Sequence, residues 1–195
     1  MSRAKPREER EQAAEIFPQP AKPPAVEPGA GAPVHRLRTL LLMLGTVTVP
    51  VVALDQWSKL YVRAHMQLYE DIVLIPNFLD LTYALNPGAA FSLFANVPAR
   101  LRLGVLFALS AAAIVAILVL LARSARPALS SVALALILAG ATGNLIDRAL
   151  GGGDVIDFVR VHYLSYSWPI FNVADSAISI GVALIFLSQF IAHKQ

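Results

Sequence analysis

Beyond about residue 36 the chain alternates between long uncharged stretches and short polar ones. Four apolar stretches stand out: Leu40 to Leu54, Leu103 to Ala122, Leu129 to Ile146, and Pro169 to Ala192. The first is entered through His35, Arg36 and Arg38 and left through Asp55; the third is closed by Asp147 and Arg148; the fourth is uncharged apart from Asp175. A helix of about 20 apolar residues spans roughly 30 Å, the thickness of a bilayer's hydrocarbon core. Each stretch is therefore predicted to cross a membrane. Between the first two, Ile72-Val73-Leu74-Ile75 and Phe78 to Tyr83 flank Pro76-Asn77, a strand–turn–strand pattern. Phe91 to Val97 reads as a short interfacial helix. Arg148 to Trp168 reads as a loop, with a Gly151-Gly152-Gly153 run and an interfacial belt of Tyr163, Tyr166 and Trp168. The predicted fold class is an all-α integral membrane protein: four transmembrane helices, a small extracytoplasmic β-sheet and a short interfacial helix.

Residues 1–35 differ from the rest. A mixed-charge cluster from Arg3 to Glu11 is followed by Pro18, Pro20, Pro23, Pro24, Pro28 and Pro33. Too little apolar surface is available there to offset ordering entropy, so a disordered tail is expected. Residues 36–195 form the membrane domain, with 60–100 as its strand-rich insert. The small Val51-Val52-Ala53 end of the first stretch resembles a signal-peptide cleavage site. The basic region before it is too long for that and three spans follow, so a retained helix is expected.

Composition agrees. The 195 residues are 56% hydrophobic and only 15% charged, with mean hydropathy +0.61, where soluble domains carry about a quarter charged residues. A water-soluble globule is not expected. The chain has no cysteine, which removes disulfides, cysteine nucleophiles and thiolate metal sites. The net charge of +3 sits mostly at the edges of apolar runs, which argues for membrane topology and against nucleic acid. With the N-terminus inside, 10 of the 16 Lys and Arg fall on the cytoplasmic side, so both termini are predicted cytoplasmic.

This topology gathers the unusual polar residues at the outer helix ends. Asp55 and Lys59 close helix 1, Asn144, Asp147 and Arg148 close helix 3, Asn172 and Asp175 open helix 4, and Asn86 and Gly88 lie in the outer loop. An intramembrane Asp costs roughly 2.5–3.5 kcal/mol to insert, which makes Asp175 the sharpest signal; the bland alternative is pairing with Arg148 or Lys59. Asp157, taken alone, reads as a solvated loop carboxylate. Asp55 and Lys59 are an i,i+4 pair, and Lys59 is also placed to anchor at the headgroups beside Trp57 and Tyr61. Gly140 and Gly143 suit close helix packing. Four scattered histidines show no metal spacing, and Ser58, Ser92 and Ser176 lack an evident base.

Five segments together resemble the lipoprotein signal peptidase (signal peptidase II) family: Asp55-Gln56-x-x-Lys59, Asn86-x-Gly88-x-Ala90-Phe91, Gly143-Asn144-x-x-Asp147-Arg148, Val155-x-Asp157-Phe158 and Phe171-Asn172-x-Ala174-Asp175. The resemblance covers residues 37–192. It implies an aspartic endopeptidase of the bacterial inner membrane. Such enzymes cleave the signal peptide from diacylglyceryl-modified prolipoproteins, just before the lipidated cysteine, on the periplasmic side. It makes Asp157 and Asp175 the catalytic pair, with Asn144, Arg148 and Asn172 lining or bracing the site. Asp55, Lys59, Asn86 and Gly88 match positions associated with substrate or lipid contact. No cofactor or metal is implied. The expected partners are lipid-modified prolipoproteins and membrane phospholipid, and the expected state is a monomer. The glycine run adds one residue to the usual spacing between Asp147 and Asp157. Two other readings of the polar cluster stand beside this one: a proton-coupled transporter with Asp175 as relay, and a non-catalytic assembly factor.

Overall fold

The computed structural model describes residues 32–88, 98–124 and 128–192. Four helices there are long and apolar enough to cross a membrane. The first is composite: α1 (Ala32–Met43) and α2 (Val49–His65) are joined by a π-helical stretch, Leu44–Thr48. Pro50 accounts for that stretch. A proline within a helix has no N–H to donate, and its ring crowds the carbonyl four residues back. Opening the ladder to a five-residue step, as in the bond from the Val49 N–H to the Leu44 carbonyl, relieves the conflict. Then come α3 (Ala99–Arg123), α4 (Leu129–Leu150) and α5 (Val173–Ala192).

The helix ends differ from those expected. The first helix begins at Ala32, inside the segment read as tail, and runs to His65. The span Val34–His65 has 32 residues, or about 48 Å at 1.5 Å per residue, more than a hydrocarbon core needs. The last helix starts at Val173 rather than near Pro169, so Asp175 lies in its first turn and not deep within it. Residues 1–31 of the expected tail and the expected Phe91–Val97 helix lie outside the described residues.

A four-stranded antiparallel sheet caps one end of the bundle, in the order β1 (Asp71–Ile75), β2 (Leu79–Asn86), β3 (Val155–Tyr163), β4 (Tyr166–Ser167). The first hairpin lies where the alternation predicts it. Its turn has Pro76 followed by Asn77 at φ 60°, and the Phe78 N–H closes it on the Ile75 carbonyl at 3.1 Å; proline then a left-handed Asn is type II chemistry. The other two strands correct the loop reading of Arg148 to Trp168. Val159-Arg160-Val161-His162 alternates as a strand requires, but before it Asp157 falls on the valine face and apolar Ile156 and Phe158 on the other, which obscures the pattern. Arg160 then proves structural. From β3 it reaches Asp80 on β2 (Nη2 2.6 Å, Nε 3.1 Å) and Asp71 on β1 (Nη1 3.1 Å). These hydrogen bonds hold the Asp80 carboxyl below the usual carboxylate range.

Two apolar cores divide the molecule. Met43, Ile117, Leu121, Ala135 and Leu138 knit α1, α3 and α4 together. Val62, Met66, Tyr83 and Phe158 seat the sheet on α2. The seam between α4 and α5 is built from small residues. A Cβ on Gly140 would strike the main chain of Ala174, and one on Gly143 would strike the Asp55 carboxylate. Bare backbone at these two positions lets the polar ends of α2, α4 and α5 converge.

Candidate active site

The convergence begins with how α5 starts. Before it, Phe171 pairs with Val159 of β3 as an isolated antiparallel bridge, with N–H···O distances of 2.8 and 3.0 Å. Asn172 follows as the helix cap. Its Oδ1 accepts the Asp175 N–H at 2.9 Å, and Asp175 Oδ2 accepts the Asn172 N–H at 3.2 Å. This is a reciprocal capping box, in which cap and third helical residue satisfy each other's orphan N–H. The bridge pins that cap against β3, two residues from Asp157.

Asn172 is fully buried and touches both acids. Its Nδ2 donates to Asp157 Oδ1 at 2.7 Å, while its main-chain N–H holds Asp175. The remaining carboxylate oxygens are also met by amides. Asn144 Nδ2 donates to Asp175 Oδ1 at 2.8 Å, and Asn86 Nδ2 donates to Asp157 Oδ2 at 2.9 Å. Asn86 is held in turn by Gly88, whose N–H donates to Asn86 Oδ1 at 2.9 Å from a left-handed backbone, φ +77°. That conformation suits glycine, and a Cβ there would also strike the Leu106 side chain.

Asp157 is 2% exposed, and burial pushes its carboxyl up to about 6. The Asp175 charge adds to the rise, while hydrogen bonds from Asn86 and Asn172 and the Lys59 charge oppose it. Asp175 is half-buried in the first turn of α5. Arg148 donates from Nη1 to the Asn144 carbonyl at 3.2 Å, and its buried Nε has no hydrogen-bond partner among the described residues. With Leu103, Gly104, Phe107 and Ala108 it lines an open groove of about 480 Å³ between α3 and α4.

All nine residues expected at the site thus lie at this end of the bundle, yet Asp55 and Lys59 do not reach its surface. They are 0% and 2% exposed, which removes the headgroup anchor as a role for Lys59. Instead Lys59 Nζ stands 2.8 Å from Asp55 and 2.9 Å from Asp147. Asp147 and Gln56 are the residues sequence reasoning passed over; both lie inside the quoted motifs, and Asp147 sits one helical turn from Asn144. Among the described residues no cluster of three or more His, Cys, Asp or Glu is arranged to hold a metal ion.

Two carboxylates held by one asparagine, one of them reluctant to ionise, can share a proton and activate water. Comparison with known proteins places the chain among relatives. Residues 47–191 match the family model for signal peptidase (SPase) II. The lipoprotein signal peptidase of Syntrophotalea carbinolica is 42% identical over 153 residues, covering 77% of this chain and 91% of that one. The lipoprotein signal peptidase of Syntrophus aciditrophicus is 41% identical over 161 residues, covering 81% and 98%. Among solved structures, a bacterial membrane enzyme determined by the in meso method superposes with TM-score 0.67 at 32% identity, over 79% of this chain and 88% of that one.

Proposed function

This chain belongs to the signal peptidase II family, and on that premise we propose that Asp157 and Asp175 are the catalytic pair of an aspartic endopeptidase. Its substrates are diacylglyceryl-modified prolipoproteins, cut just before the lipid-bearing cysteine. The observation that carries the reading is Asn172, a fully buried side chain that hydrogen-bonds Asp157 while its own main chain holds Asp175.

Like charges in a half-dry site do not both ionise cheaply, so the pair holds one proton. Burial favours placing it on Asp157. Asp175 then takes a proton from water as its oxygen attacks the scissile carbonyl carbon. Asp157 gives its proton to the carbonyl oxygen; the C–N bond of the tetrahedral adduct then breaks as Asp175 passes its proton to the leaving amine and Asp157 recovers a proton from the adduct's hydroxyl. Asn144 and Asn86 hold the acids, and Arg148 lines the groove beside α3, whose apolar wall suits an acyl chain of the substrate. The charge asymmetry supports cytoplasmic termini and a periplasmic site in the bacterial inner membrane. We read the residues before Ala32 as a tail outside this peptidase domain.

The test is incubation of the purified protein with a diacylated prolipoprotein and with its unlipidated counterpart. A shortened product is expected from the lipidated substrate alone. No product from either, or equal cleavage of both, would overturn the assignment.

A pH profile follows as well. The active form holds one proton, and a carboxyl raised to about 6 binds it below that pH and loses it above. In the free enzyme kcat/KM is therefore expected to fall about tenfold per pH unit above the limb. Bound substrate buries Asp157 further, so the limb of kcat lies at higher pH. A kcat/KM that stays flat from about pH 5 to 8 contradicts the shared proton.

A further inference from the structure

Two acids that act on one water must stand at a set separation. Each is preceded in the chain by a residue whose N–H is gripped by another, buried carboxylate. The Ile156 N–H, next to Asp157, donates to Asp147 Oδ2 at 3.1 Å. The Ala174 N–H, next to Asp175, donates to Asp55 Oδ1 at 2.9 Å. Lys59 Nζ lies between the two gripping carboxylates, at 2.8 Å from Asp55 and 2.9 Å from Asp147. Gln56 Nε2 spans the same pair, at 3.1 Å from Asp55 Oδ2 and 2.9 Å from Asp147 Oδ1.

Lys59 also donates to Asn144 Oδ1 at 3.2 Å. That bond fixes the amide so that its NH₂ faces Asp175; reversed, the NH₂ would confront an ammonium and the Asn172 amide. All three charged groups are nearly sealed, at 0%, 2% and 8% exposed for Asp55, Lys59 and Asp147. Stability alone does not account for them, because apolar side chains often replace a buried ion cluster without loss.

We propose that the buried Asp55–Lys59–Asp147 triad, bridged by Gln56, is a gauge that sets the distance between Asp157 and Asp175. Each carboxylate is one jaw, closed on the main chain beside one catalytic acid, and Lys59 is the pin between them. The proposal rests on the reading of Asp157 and Asp175 as the catalytic pair. The triad itself touches neither substrate nor the attacking water, so its members are positioning residues.

Asp147→Asn and Asp147→Glu separate a gauge from a simple ion pair. The first keeps an acceptor for the Ile156 N–H and leaves Lys59 paired with Asp55. The second keeps the charge but adds one methylene, about 1.5 Å. Both are expected to lower kcat roughly 10- to 100-fold, the scale of a 1 Å misplacement, with KM within about threefold, in protein that is folded at the assay temperature though it melts below wild type. Both are also expected to move the limb of the kcat/KM profile, because spacing sets how strongly the acids repel. Normal kcat and an unmoved limb in Asp147→Glu overturn the gauge, since charge alone then suffices. Lowered kcat with an unmoved limb overturns it too. If either variant fails to fold, Asp55→Asn and Asp55→Glu decide by the same criteria; failure of all four makes the triad a folding element and also refutes the proposal. Wild-type protein and Asp157→Asn run alongside. An inactive wild type, or an active Asp157→Asn, counts against the catalytic pair instead.

Discussion

Asp157→Asn and Asp175→Asn are each expected to reduce prolipoprotein cleavage by about four orders of magnitude while leaving a folded, membrane-inserted protein. The size is that of removing one member of a catalytic unit, where the partner left behind recovers little. An amide neither accepts water's proton nor returns one, so the shared-proton cycle stops. The local bonding permits the substitution. At position 175 an Asn oxygen still accepts the Asn172 N–H, so the start of α5 survives, while the bond from Asn144 Nδ2 is lost. Asp175→Ala, in contrast, removes that half of the capping box and is expected to cost about 1 kcal/mol of stability besides the activity. At position 157 two donors, Asn86 and Asn172, converge on what becomes a single oxygen, so one bond is lost. Single-turnover cleavage and thermal unfolding in detergent check both halves. Either Asn variant cleaving within about tenfold of wild type would remove the pair from the mechanism.

Gly140→Val is expected to be the most damaging change away from the acids. Any Cβ at this position runs into the Ala174 carbonyl and the Ile178 side chain, and main chain does not swing aside. The helices must separate, which carries Ala174 away from Asp55 and the α5 cap away from Asn144. Overpacking of this kind costs about 3 kcal/mol, and loss of the cap's setting takes activity with it. Gly45→Ala is the control: a Cβ there meets nothing within 4 Å, so its melting temperature should equal or exceed that of wild type. A Gly140→Val protein that melts and cleaves like wild type would show that the seam yields more than its geometry allows.

The helices were legible in the sequence because twenty residues without charge have few other uses. The first hairpin was legible because Pro76-Asn77 punctuates it. β3 was not: Asp157 sits on the face of Val155, Val159 and Val161, and apolar Ile156 and Phe158 share the other face with Arg160 and His162, so the run lacks the clean alternation a strand reading needs. The meeting of Asp157 with Asp175 therefore had no local signal, since it depends on Phe171 pairing with Val159. Asp55 and Lys59 illustrate a different limit. An i,i+4 acid–base pair looks the same on paper at a lipid surface or in a sealed interior, and only the small residues of α4, packed against Asp55, decide which it is.

The capping box at the head of α5 leaves little room for drug resistance. A compound that hydrogen-bonds the Asp175 carboxylate engages a group the chain also uses to begin a membrane helix. On the proposed mechanism Asp175→Asn keeps the helix start but forfeits the chemistry, and a substitution without a side-chain acceptor forfeits both, so resistant strains should instead alter the walls of the α3–α4 groove.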